Sequence, residues 1–109
     1  MDITDRQAAD HAFLAALYRS AYYPDAMVDR GREILLRLRA RIEAERPADL
    51  AALYVLTHAA TDEFNALLDD GFDIETVARE EIAGDFWFVA TAYGFTDADI
   101  EELIATRDW

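Results

Sequence analysis

The stretch Arg79-Glu80-Glu81-Ile82-Ala83-Gly84-Asp85-Phe86-Trp87-Phe88 decides how the chain is read. Three carboxylates and one guanidinium run into three consecutive aromatics. The stretch is either an acidic site set in an apolar wall or an amphipathic helix packing its core. Helical spacing sorts it. Ala78, Ile82, Phe86, Val89 and Tyr93 recur every three or four residues and form one apolar stripe. Ile74, Val77, Glu81, Asp85, Phe88 and Ala92 form the adjacent one. A helix over 74–93 is predicted, with Asp73 as its N-cap and Gly94 as its end. Glu81 and Asp85 then stand four residues apart at the rim of a broad apolar face, where their charges repel. Such a pair calls for a partner. An Arg of the second helix is the first expectation, because bidentate pairing suits carboxylates. His58, a cation or solvent are the others.

The same periodicity extends outward. Thr4-Asp5-Arg6-Gln7 reads as a capping box, opening a first helix that runs to about Tyr22 with Phe13, Leu14, Leu17 and Tyr18 on its apolar side. Pro24 breaks it and starts a second helix over about 25–45. Met27, Val28, Gly31, Leu35, Leu38 and Ile42 form the buried stripe there. A glycine on that stripe costs up to about 1 kcal/mol against Ala, so close approach of a helix or aromatic ring is expected at Gly31. The alternative is a later helix start. Pro47 separates a third helix, about 48–69, with apolar residues from Leu50 to Leu68 and Gly71 as its breaker. Thr96-Asp97-Ala98-Asp99 is a cap signature for a last helix, about 97–106, with Arg107 near its end. No stretch alternates with period two. The fold class expected is all-α, a compact bundle of about five helices in one domain over 1–109.

Composition narrows the function classes. The 109 residues are 53% apolar, with few glycines and prolines, so a folded core is affordable without staples. Cysteine is absent, which removes disulfides, thiol nucleophiles and thiolate metal sites. No signal peptide and no apolar run long enough for a membrane helix is present, so a cytoplasmic location is expected. The formal charge is −13, and every basic residue is Arg. Residues 1–46 hold eight Arg and eight acids; residues 47–109 hold two Arg and fifteen acids. The whole net charge therefore sits in the second part. That surface repels nucleic acid and anionic membranes; its first reading is a solubilising face, and the alternative is attraction of a basic protein.

Several constellations could carry chemistry. His58 and Asp62 lie four apart on one helical face, a spacing that can orient an imidazole, yet the second His of a zinc helix motif is missing. His11 is the other histidine. Glu75 precedes Arg79 by four, the favourable order for an intrahelical pair. Tyr54, His58, Asp62, Arg79, Glu81 and Asp85 are the candidate binding residues, and Trp87 and Trp109 the candidate interface anchors. No metal, cofactor or catalytic residue is assigned. Trp109 is expected to fold back over the bundle.

Glu75-Thr76-Val77-Ala78-Arg79-Glu80-x-Ile82-Ala83-x-Asp85-Phe86 and Ala98-Asp99-Ile100-Glu101-Glu102-Leu103-Ile104-Ala105-x-Arg107-x-Trp109 resemble a bacterial family of small acidic proteins known as a domain of unknown function. Tyr23-Pro24 followed by Val28 and Gly31, and Leu53-Tyr54 followed by Thr57-His58, are similar to it too. The resemblance spans nearly the whole chain. It implies a single helical domain and carries no mechanism.

The functional expectation is a non-enzymatic protein–protein interaction module, immunity- or antitoxin-like in that it would neutralise a basic partner. The alternative is a small-ligand, metal-binding or catalytic pocket built from His58 and the Glu81/Asp85 pair. A homodimer through Trp87 or Trp109 is a third reading.

Overall fold

The computed structural model describes residues 11–109. The proposed capping box at Thr4–Gln7 lies outside them. Five helices are present among the described residues, and no strand: α1 (Ala15–Tyr18), α2 (Asp25–Glu45), α3 (Leu50–Asp69), α4 (Thr76–Ala92) and α5 (Ile100–Leu103). The three long helices fall where the apolar periodicity placed them. α2 packs along α3, α4 packs on α5, and α1 bridges α2 and α4.

Local chemistry sets the boundaries. Pro24 is the extended N-cap of α2, and Arg46, just before Pro47, ends that helix in the left-handed region. The Asp49 carboxylate caps α3 by accepting from the Ala52 amide at 2.9 Å. Gly71 and Gly94, with φ of 104° and 93°, close α3 and α4. Behind them Phe72 donates to Leu67 O and Phe95 to Ala90 O, the bond pattern that a left-handed residue after a helix allows.

Two boundaries differ from the sequence reading. α4 is capped by Glu75, not Asp73: its carboxylate accepts from the amides of Val77 and Ala78. Asp73 instead accepts a hydrogen bond from the Tyr22 hydroxyl. As the cap, Glu75 also accepts from Tyr23, so of the expected Glu75–Arg79 intrahelical pair only a through-space attraction is present, without a direct ion pair. α5 is capped by Asp99, whose carboxylate accepts from Glu101 N, and lasts one turn, Ile100–Leu103.

The largest correction concerns the first helix. Only the turn Ala15–Tyr18 is helical between residues 11 and 22, and it is entered through Leu14 at φ 58°. A left-handed leucine costs about 1–2 kcal/mol. Leu14 is fully buried, and burial of a leucine contributes about 1.5–3 kcal/mol. Its side chain occupies the space left by Gly31. A Cβ there would sit 3.0 Å from Leu14 Cδ1 and 3.1 Å from Phe64 Cε1. Gly31 thus marks a three-way contact between the Leu14 turn, α2 and α3, and α2 does start early, at Asp25.

Gly84 is the contrary case. It lies within α4, is exposed, and a Cβ on it would meet nothing within 4 Å. Gly84→Ala is expected to stabilise the fold by roughly 0.5–1 kcal/mol, the helix preference of alanine. Gly31→Ala is expected to destabilise it, by about 1–2 kcal/mol, because both neighbours are fully buried and overpacking outweighs the same preference. Denaturant unfolding of the two variants checks this; equal shifts for both would refute the assignment of Gly31 to a close contact.

Candidate functional site

Glu81 and Asp85 lie on the side of α4 that faces the first turn, and α1 with the chain just before it supplies their partners. Asp85 is buried, 6% exposed. Its Oδ2 accepts from the Leu14 amide at 2.7 Å, and its Oδ1 accepts from His11 Nε2 at 2.8 Å. Glu81 Oε2 accepts from the Ala16 amide at 3.1 Å. The first amides of a helical turn have no partner inside it; here two carboxylates of a neighbouring helix satisfy them. The left-handed turn at Leu14 is part of this arrangement, since Leu14 N and Ala16 N are both delivered to α4.

Aromatic rings wall the pair. The His11 ring stacks on Phe88 with centroids 3.8 Å apart and meets Phe13 edge-on at 4.8 Å. Burial pushes the Asp85 carboxyl above its ordinary value of 3.8, against the opposing pull of the His11 and Leu14 hydrogen bonds. Both of its oxygens are occupied by structural donors. Among the described residues no hydroxyl hydrogen-bonds His11.

The expected Arg partner for Glu81 and Asp85 is therefore a histidine and two backbone amides. The arginines of α2 go elsewhere. Arg30 pairs with Asp70 and Arg37 with Glu63, both at the α3 side, while Arg39 and Arg41 pair within α2. Sequence reasoning had located His11 on a helix and given it no role. The usable signal was size: a rim crowded by Phe13 and Phe88 admits an imidazole or a main-chain amide more readily than a guanidinium.

The other candidate residues form a second constellation, against the C-terminal segment. His58 Nε2 donates to Glu102 O at 2.7 Å and lies 3.5 Å from the Glu102 carboxylate. Its ring stacks on Tyr54, whose hydroxyl accepts from the Asp99 amide. Thr61 donates to Leu103 O, and Asn65 both donates to Thr106 O and accepts from Asp108 N. His58, Thr61 and Asn65 are thus one polar stripe of α3 that satisfies the backbone at the end of α5 and just beyond it. Asp62 is exposed and does not bond His58. The partners of His58 and those of the Glu81/Asp85 pair have no residue in common. Among the described residues no group of three or more His, Asp or Glu is placed to hold a metal ion.

Trp109 packs edge-on against Phe64 at 6.1 Å. Trp87 is 47% exposed. Val77, expected on an apolar stripe, is also exposed, and with Glu80, Gly84 and Trp87 it forms the outer face of α4. Beside that face a cleft of about 400 Å³ opens between α4 and the C-terminal segment, lined by Arg79, Glu80, Ala83, Ile100, Glu101, Ile104 and Arg107.

The chain belongs to a family of unknown function (DUF5713), whose model matches residues 7–109. No curated protein and no solved structure matches it. Among the described residues no helix is long and apolar enough to cross a membrane.

Asp85→Ala is expected to cost about 2–3 kcal/mol, because it leaves the buried Leu14 amide unsatisfied. Asp85→Asn is expected to cost less than half of that, since its carbonyl can accept from Leu14 and its amide can donate to a neutral His11. A carboxyl that binds its proton more tightly folded than unfolded lowers stability as pH rises from 3.8 to its raised native value, with no further change above. The stability of the native chain relative to Asp85→Asn should therefore fall with pH across that window. A rise in urea titrations would contradict the burial-dominated environment.

Proposed function

We propose that this protein acts through protein–protein contact, docking a basic partner on the outer face of α4. The observation that carries this reading is the pairing of Gly84 with Trp87 on that face. A glycine inside a helix needs a reason, since it weakens the helix by roughly 1 kcal/mol. Gly31 has its reason inside the fold and Gly84 has none there. An exposed glycine one turn from a half-exposed tryptophan leaves a flat bed in which a partner's backbone can approach closely while the indole anchors it.

Charge complementarity names the partner. The net −13 resides in residues 47–109, which include α4 and its flanks, and Glu80 lies on the docking face itself. A basic protein would be steered to it at low salt. Neutralisation of a basic partner, as in immunity or antitoxin-like proteins, fits this chemistry. A second copy of the chain does not, because two such surfaces repel. The His58 constellation and the Glu81/Asp85 pair are engaged with the chain's own backbone, which favours contact over catalysis as the role.

The test compares the native chain with Trp87→Ala as bait in host extract, at 50 mM and 500 mM salt. The expected result is a basic protein, identified by mass, retained at low salt, released at high salt and weakened roughly tenfold or more by Trp87→Ala. Retention unaffected by either change would refute the docking face. So would a stable homodimer in sedimentation that Trp87→Ala dissociates.

A further inference from the structure

The second part of the chain contains two arginines, and both line one cleft. Arg79 comes from α4 and Arg107 from the segment after α5, and between them lie Ala83, Ile100 and Ile104. Convergence of the two cations of a strongly acidic region on one concave surface is not expected of a solubilising charge pattern. Their bonding states differ. Arg107 is held by Glu101 at 3.1 Å and by Ile104 O at 3.3 Å. The Arg79 guanidinium makes no hydrogen bond and no direct ion pair among the described residues, and the nearby Glu75 carboxylate feels it only as a charge through space. The side chains of Arg19, Arg32 and Arg46 also lack such bonds among the described residues, but those three are exposed, whereas Arg79 is half-buried. Its natural partner four residues back, Glu75, is already committed to the helix cap and to Tyr23.

We infer that this cleft is a binding site for a carboxylate joined to a small apolar group, with Arg79 as the primary anchor. The planar guanidinium presents paired donors that match a carboxylate. Arg107, fixed by its own bonds, offers its remaining donors from the other side. Ile100, Ile104 and Ala83 supply the apolar wall, and about 400 Å³ suits a ligand of that size. Glu80 and Glu101 on the rim set a limit on charge: a monoanion is tolerated, while a phosphate dianion is repelled. A free acid and the C-terminal carboxylate of a chain ending in an apolar residue offer the same chemistry. The inference does not depend on the docking of Trp87, which is read with a different variant and by salt, so either can fail alone.

The experiment is an amide-shift titration of the isotope-labelled full chain. The probes are 4-methylpentanoate, its neutral analogue 4-methylpentanamide, inorganic phosphate, and a lysine-containing hexapeptide ending in leucine with a free or an amidated terminus. The expected result is saturable shifts at Ala83, Ile100 and Ile104 with a carboxylate probe. Affinity should be at least tenfold lower for the neutral amide and for phosphate, and at least fivefold lower in Arg79→Gln, with partial recovery in Arg79→Lys. A free-terminus peptide that binds tighter than the acid, and loses this on amidation, makes a chain end the source. The acid binding alone makes it a small molecule. Absence of saturable shifts with either carboxylate, or amide and acid binding equally, overturns the site without relying on any variant. Phosphate binding as tightly as the acid, or an affinity unchanged in Arg79→Gln, also overturns it.

Discussion

The hydrogen bond from the Leu14 amide to the buried Asp85 carboxylate is the constraint on which the packing of the N-terminal part depends. It fixes a left-handed leucine at the entrance to α1. That turn points the Leu14 side chain into the gap at Gly31, between α2 and α3. The same carboxylate holds His11 against Phe88, and Glu81 one turn back binds the next free amide. Two like charges at the rim of a core look like a catalytic pair. In this fold they are an anchor, because a short turn offers two amides that nothing else satisfies.

The anchor belongs to a wider pattern. A chain with more than twice as many acids as bases cannot give each carboxylate an arginine. Neutral donors take up part of the shortfall. The hydroxyls of Tyr18, Tyr22, Tyr23 and Tyr93 donate to Asp29, Asp73, Glu75 and Glu43. Burial, reinforced by the Glu75 bond, pushes the Tyr23 phenol up to about 12. The Tyr23 hydroxyl, with the amides of Val77 and Ala78, holds Glu75 below its ordinary value. Side-chain amides and hydroxyls of α3 do the same for the C-terminal segment's carbonyls. Satisfying acids and backbone with uncharged donors leaves the Arg79 guanidinium without a direct partner among the described residues, and that is what makes the cleft beside α4 chemically distinct.

The long helices were legible because their apolar residues keep a strict three–four spacing, and the core follows that spacing directly. Gly31, Gly71 and Gly94 were readable too, each from a plain steric or backbone requirement. The first helix was not. Phe13, Leu14, Leu17 and Tyr18 have helical spacing, yet the bond to Asp85, some seventy residues away, overrides it locally. The cap of α4 was misplaced by two residues for the same reason, since Tyr22 claims Asp73 and Tyr23 claims Glu75. The Glu81/Asp85 pair was identified as the feature in need of a partner. The identity of that partner rests on main-chain amides, which a side-chain pattern does not display. Nor could the meeting of Arg79 and Arg107 be read from spacing, because it depends on how the last turn folds back.

Amide hydrogen exchange at Leu14 and Ala16 tests the anchor most directly. Among the described residues neither amide has a backbone acceptor, and each is bonded to a carboxylate of α4. In the native chain both should exchange far more slowly than solvent-exposed amides, and Asp85→Ala should abolish the protection at Leu14 while leaving the α3 core protected. Free exchange of Leu14 in the native chain, or protection that survives Asp85→Ala, would contradict the account.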